Sequence, residues 1–173
     1  MPLVSLQGVK IDLYPMSWPM NTREDEIERM GGQAVLDNII DGDKWWSGLP
    51  NLYNRMDIYI RCDINPGYQF SLLEAAACGV SIITTDPGLG KELSDVGGAV
   101  YIECQAGNWE PGVLAELAGK IREAVIDLRD HPKRRAQMGT KGRYFVLEKY
   151  RWEKLIPSWR EFFRKGLENA KKM

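Results

Sequence analysis

Apolar positions change their period along the chain, and the changes mark out its elements. Residues 9–14 alternate apolar and polar up to Pro15, the period-two pattern of a strand that ends in a turn. Beyond the loop 15–19, Asn21 or Thr22 is placed to cap a helix whose first turn carries Glu24, Asp25 and Glu26. The positive end of a helix favours such acids. That helix runs to about Ile40, interrupted by Gly31 and Gly32. A short strand over 44–47, a short helix over 49–56 and a strand over 57–61 follow.

The run Phe70-Ser71-Leu72-Leu73-Glu74-Ala75-Ala76-Ala77-Cys78 is rich in helix formers and apolar nearly all round. It predicts a buried helix that Gly79 stops. Residues 80–84 are β-branched without polar alternation until their end, as in a parallel strand covered on both faces. A helix over 88–96 and a strand over 99–103 complete the pattern. Strand, helix and strand alternating at this spacing predict an α/β fold built on a doubly wound parallel sheet. Past Gly107, Pro111 and Gly112 the pattern turns to helices alone. Leu114, Leu117, Ile121, Val125 and Leu128 form one stripe over 113–128. A second helix starts at Pro132, and a third near Trp152 carries Ile156, Trp159, Phe162 and Phe163. The chain has no internal repeat.

Composition narrows the partners. The 173 residues, 44% hydrophobic and 27% charged, suffice for one well-buried domain. Lys and Arg total 23 against 24 for Asp and Glu, so no bulk positive field exists to gather nucleic acid. The apolar stretches are too short to span a bilayer, and no signal segment opens the chain, so a cytoplasmic protein is expected, with membrane contact possible in principle but not indicated. Cys62, Cys78 and Cys104 are odd in number and not closely paired, which predicts buried free thiols rather than a zinc site or redox pair. The single histidine, His131, precedes Pro132 between two helices, where solvent exposure is expected. No metal ligand set and no cofactor site is legible. Trp18, Trp45, Trp46 and Tyr53 fit core or interface positions better than sugar stacking.

Four segments taken in order carry a resemblance: 49–60, 70–86, Gly88 to Glu92, and 134–153. Together they resemble the C-terminal, nucleotide-sugar-binding domain of retaining GT-B glycosyltransferases, the group 1 glycosyl transferases. The resemblance implies a Rossmann-like donor-binding domain over 1–150, without its first strand–helix unit, and a C-terminal amphipathic helix over 151–173. It implies a nucleoside diphosphate sugar as ligand and retaining, metal-independent transfer. The acceptor side would come from a missing domain, a partner chain or a second copy of this chain.

In that family two glutamates separated by seven residues bracket the donor site, and the second binds the ribose hydroxyls. Glu74 falls on the second position. A carboxylate near the start of a helix is favoured by the dipole and accepts two bonds from a diol. Its other reading is a residue that merely caps or solvates its helix. Gly67, Tyr68, Gln69, Phe70 and Ser71 lie where the family presents backbone amides to the diphosphate. Gly88 corresponds to a second glycine turn near the sugar and phosphates, or is a plain β–α connection. Lys91 is placed either to neutralise a phosphate or to be solvated at the surface.

Three departures bear on activity. Pro66 stands where the first glutamate belongs; Asp63 and Asn65 share its loop but not its position. The strand and glycine turn bearing a clamping Arg and Lys are not recognisable, nor is an acceptor-binding domain. No catalytic residue is assigned. Two readings therefore stand: a glycosyltransferase donor domain that needs a partner, and a non-catalytic nucleotide-binding or interaction module of the same descent. A dinucleotide-binding protein is weaker still, since no Gly-x-Gly-x-x-Gly joins a first strand to a helix.

Overall fold

Three short strands are laid down side by side in the order the chain meets them. The structure, a computed structural model, describes residues 49–51, 53–62, 69–104 and 110–170. The chain divides into two compact units, Met1–Leu49 and Pro50–Met173, and the sheet and helices described below belong to the second. The elements expected over 9–14, 22–40 and 44–47 lie outside the described residues.

Strands β1 (Ile58–Arg61), β2 (Ser81–Thr84) and β3 (Ala99–Tyr101) are parallel, in the order β1-β2-β3. Helix α1 (Phe70–Ala77) joins β1 to β2, and α2 (Leu89–Asp95) joins β2 to β3. Helices α3 (Pro111–Asp130), α4 (Pro132–Lys149) and α5 (Trp152–Ala170) follow. This is the α/β, Rossmann-like half with a helical C-terminus that the alternation predicted. Strand bounds are shorter than expected by one or two residues, as element ends commonly are.

β2 lies between its neighbours, and all four of its residues are buried, which is why it shows no alternation. Ile82 and Ile83 point to opposite faces and both are fully buried. Burial of each such side chain stabilises the fold by about 1.5–3 kcal/mol. α1 buries Ser71, Leu72, Ala75 and Ala76. It ends where expected, at Gly79, whose φ of +78° lets the chain reverse without a Cβ penalty. The Gly79 N–H then bonds to the Ala76 carbonyl at 2.9 Å and the Val80 N–H to the Ala75 carbonyl at 3.1 Å, satisfying two helix-end acceptors.

α4 packs on α1, β2 and β3. Gly139 and Gly142 are buried on it, and their lack of side chains brings its backbone against the Gly79 turn and Gly98. Polar bonds pin the same contact: the Ser81 hydroxyl donates to the Arg135 carbonyl at 2.6 Å, and the Arg143 guanidinium donates to the Ala77 carbonyl. Of the stripe predicted for α3, Leu117, Val125 and Leu128 are buried and Leu114 and Ile121 half-buried. α5 buries nothing. Trp152, Trp159, Phe162, Phe163 and Leu167 are exposed along it, and the Trp159 and Phe163 rings stack with centroids 5.8 Å apart. No helix among the described residues is long and apolar enough to cross a membrane. Each of the three cysteines is half-buried, a correction to the buried free thiols expected. Cys62 and Cys78 directly follow β1 and α1, and Cys104 lies shortly after β3, where packing is less complete than inside an element. His131 is exposed, as expected.

Candidate functional site

Parallel strands leave their carboxyl ends at one rim of the sheet, and ligands of open α/β sheets bind beyond that rim. Here the register aligns Arg61 with Thr84 and Thr84 with Tyr101, so the last residues of the three strands form a single row. Just past the row, Thr85 and Asp86 are buried. The Asp86 N–H donates to Thr84 Oγ1 at 3.1 Å, and Asp86 Oδ2 accepts the Gly90 N–H at 2.8 Å. These bonds fix the turn that makes Gly88 the N-cap of α2. Lys91, exposed in the first turn of α2, holds its ammonium 6.0 Å from the centre of the Tyr101 ring, which brings its charge to the same rim.

The start of α1 faces this rim from the other strand. Gln69 is its N-cap and is buried, and no acid stands in its first turn. Phe70 is exposed over 67% of its surface. Ser71 Oγ accepts a hydrogen bond of 2.8 Å from Arg61 Nη1. Gly67 and Tyr68, with Asp63, Asn65 and Pro66, lie outside the described residues.

Glu74 is the fifth of the eight residues of α1, beyond the first turn. The dipole argument for a carboxylate at a helix start therefore does not apply to it. What holds it is a side chain: the Tyr53 hydroxyl donates to Glu74 Oε2 at 2.9 Å. Tyr53 is 1% exposed and meets Tyr59 edge to face, with centroids 5.7 Å apart. Burial first, and the adjacent Glu74 carboxylate second, push the Tyr53 hydroxyl well above its ordinary range and keep it a donor. Ser71 and Glu74 are three residues apart and so share one face of α1. One turn further on, burial raises the Cys78 thiol while Arg143 opposes the shift; a thiol kept protonated is a poor nucleophile.

Tyr53→Phe tests this bond. The variant is expected to lose about 1 kcal/mol of stability at neutral pH, the net value of one hydrogen bond. Because the folded-state pKa is raised above the ordinary 10.0, the stability tied to this proton is complete below that pH and is lost as pH rises beyond it. Urea midpoints of both proteins followed from about pH 8 to 11 should thus converge at the alkaline end. A constant gap across the range would mean that Tyr53 titrates as it does in the unfolded chain.

Of the residues expected at the site, the structure brings Ser71, Gly88 and Lys91 to the carboxyl rim, puts Gln69 and Phe70 at the adjoining helix start, and sets Glu74 one turn along α1. Sequence reasoning passed over Arg61 and Asp86. Each left a signal: Arg61 is a charge closing the apolar strand Ile-Tyr-Ile, and Asp86 precedes Pro87 and Gly88 at a helix entry. A family model described as glycosyl transferase-like matches residues 23–160. No curated protein and no solved structure matches the chain.

Proposed function

We propose, for a chain that belongs to the glycosyl transferase-like family, that it is the donor-binding part of a glycosyltransferase and holds a nucleoside diphosphate sugar at the carboxyl rim of β1–β3. Glu74 accepts bonds from the ribose hydroxyls through the oxygen that Tyr53 does not use. The diphosphate lies at the start of α1, with Lys91 approaching from α2. Gly67 and Tyr68 belong to the same loop in this reading.

The observation that carries the proposal is the bond from Arg61, the last residue of β1, to Ser71 in the first turn of α1, which sets a cation and a helix start together at the row of strand ends. Helix N-termini attract anions through their amides and dipole. In glycosyl transfer the bond between the anomeric carbon and the phosphate oxygen breaks, and its electron pair leaves with the diphosphate. The acceptor hydroxyl oxygen forms the new bond and loses its proton. Charge growing on the leaving diphosphate is stabilised by preorganised amides and cations at such a rim, which suits retaining transfer without a metal. Glycosyl transfer also needs the acceptor held in attack geometry. We assign that task to a second domain or a partner chain. In this reading residues 1–150 form the donor domain and 151–173 the helix that leaves it.

Calorimetric titration tests the donor site. The chain should bind UDP or GDP more tightly than UMP or GMP, by about tenfold for one added charged hydrogen bond. Equal affinity for diphosphate and monophosphate removes the site. Pro66 at the first acidic position favours a second reading, a nucleotide-binding module without turnover; it keeps the same preference but leaves the donor sugar untransferred when an acceptor-binding domain is supplied.

A further inference from the structure

We propose that α5 docks on an anionic lipid surface, lying in the plane of the headgroups with its aromatic face turned toward the acyl chains. The inference goes beyond the donor-site reading and does not rest on it.

The pattern along the helix comes first. Trp152, Ile156, Trp159, Phe163 and Leu167 recur at intervals of three and four, with Phe162 beside them, so the six share one face. Ile156 is exposed over 40% of its surface and each of the others over more than half. An apolar patch of this kind is unusual on an isolated molecule and marks a contact surface. No helix among the described residues is long and apolar enough to cross a bilayer, so the contact is one of lying on a membrane and not of spanning it.

Charge names the occupant. Residues 151–173 hold seven Lys and Arg against three Glu, a net charge of +4 in a chain whose total is -1, so the other 150 residues carry -5. Two such helices laid face to face bring like charges together. An anionic surface attracts the helix and repels the rest of the chain, which selects this face for the contact.

The arrangement of the charges around α5 agrees. At about 3.6 residues per turn, Glu161 and Glu168 fall roughly 160–180° from Trp152, behind the aromatic face, while Arg160 and Arg164 fall roughly 80–120° from it on one side and Lys165 roughly 140° on the other. The third acid, Glu153, stands in the first turn, where the helix dipole favours it, with Arg151 at 3.5 Å. Basic side chains between an aromatic face and a row of acids suit a headgroup layer, because Lys and Arg lay their stems on apolar surface and reach up to phosphate. Tryptophan suits it too, being apolar in its body and polar at its N–H. Glu161 pairs with Arg164 at 2.7 Å and with Lys165 at 3.5 Å, but exposed pairs of this sort contribute little and exchange for lipid phosphate.

Cosedimentation of the full chain with two vesicle preparations, one of phosphatidylcholine alone and one of equal parts phosphatidylcholine and phosphatidylglycerol, tests the proposal. The wild type should bind the anionic vesicles, more weakly as salt rises, with its tryptophan emission shifted to the blue. Trp159→Ser should lower that affinity about tenfold or more. Arg160→Gln should lower it about fivefold, on the anionic vesicles alone. Both side chains are exposed, so neither change removes a core residue. Absence of binding to the anionic vesicles overturns the proposal, and so does equal binding to the two preparations. Vesicle affinity that both variants leave untouched also overturns it, because another surface is then responsible. Self-association that Trp159→Ser abolishes, without any vesicle binding, gives the face to a second copy of the chain instead.

Discussion

Gly139→Ala is expected to destabilise the protein by about 3 kcal/mol, at the upper end of the usual cost of overpacking. A Cβ built on Gly139 overlaps the carbonyl oxygen of Gly79 and comes within 2.9 Å of its carbonyl carbon. Both are backbone atoms in a turn held by hydrogen bonds from Gly79 and Val80, so neither can rotate away. The helix must then retreat from the sheet, and the paired contact one turn on moves with it: a Cβ on Gly98 would sit 2.7 Å from Gly142 Cα. The opposite result has a clear physical basis, since alanine is favoured over glycine in a helix interior by about 1 kcal/mol. Gly119→Ala in α3 is the control, because a Cβ there meets nothing within 4 Å. Urea midpoints should fall for Gly139→Ala and rise slightly for Gly119→Ala. If both rise, α4 does not pack in the way described.

Glu74→Gln is expected to weaken ribonucleotide binding by about 1–3 kcal/mol, the value of a charge-assisted bond. The bond from Tyr53 makes this substitution informative. A glutamine carbonyl still accepts the Tyr53 hydroxyl, so the fold keeps its partner while the diol loses the charge. Glu74→Leu would leave that hydroxyl buried without an acceptor, at a cost of about 1–3 kcal/mol in stability, and would confuse the two roles. The 2′,3′-dideoxynucleotide, which has no diol, should bind the wild type and Glu74→Gln alike. A folded Glu74→Gln variant that binds the ribonucleotide as the wild type does would reduce Glu74 to the structural partner of Tyr53.

The elements that carry the candidate residues were largely legible in the sequence, and the contacts those residues make were not. The helix over Phe70 to Ala77 and its stop at Gly79 followed from residue type, because helix formers and a C-terminal glycine act on neighbours. The same local logic found Gly88 at the entry to α2. It misjudged Glu74, because a boundary error of a residue or two decides whether a side chain feels the helix dipole. It passed over Arg61 because a charge at a strand end is ordinary until the row it joins is known. For Asn65, Pro66, Gly67 and Tyr68, which lie outside the described residues, only the sequence expectation stands.

By itself the sequence determined the α/β alternation, the buried central strand, the helical C-terminus and the family. Those properties depend on the period of apolar residues and on short motifs, which are local along the chain. The tertiary structure alone decided which side chains meet. The Arg61 to Ser71 bond spans 10 residues, the Tyr53 to Glu74 bond spans 21, and the Arg143 to Ala77 bond spans 66. The closeness of Gly139 to Gly79 is of the same kind: two ordinary glycines become indispensable only because α4 crosses the sheet at that point. Such pairs are set by strand register and helix crossing, and a single sequence carries no local signal for either.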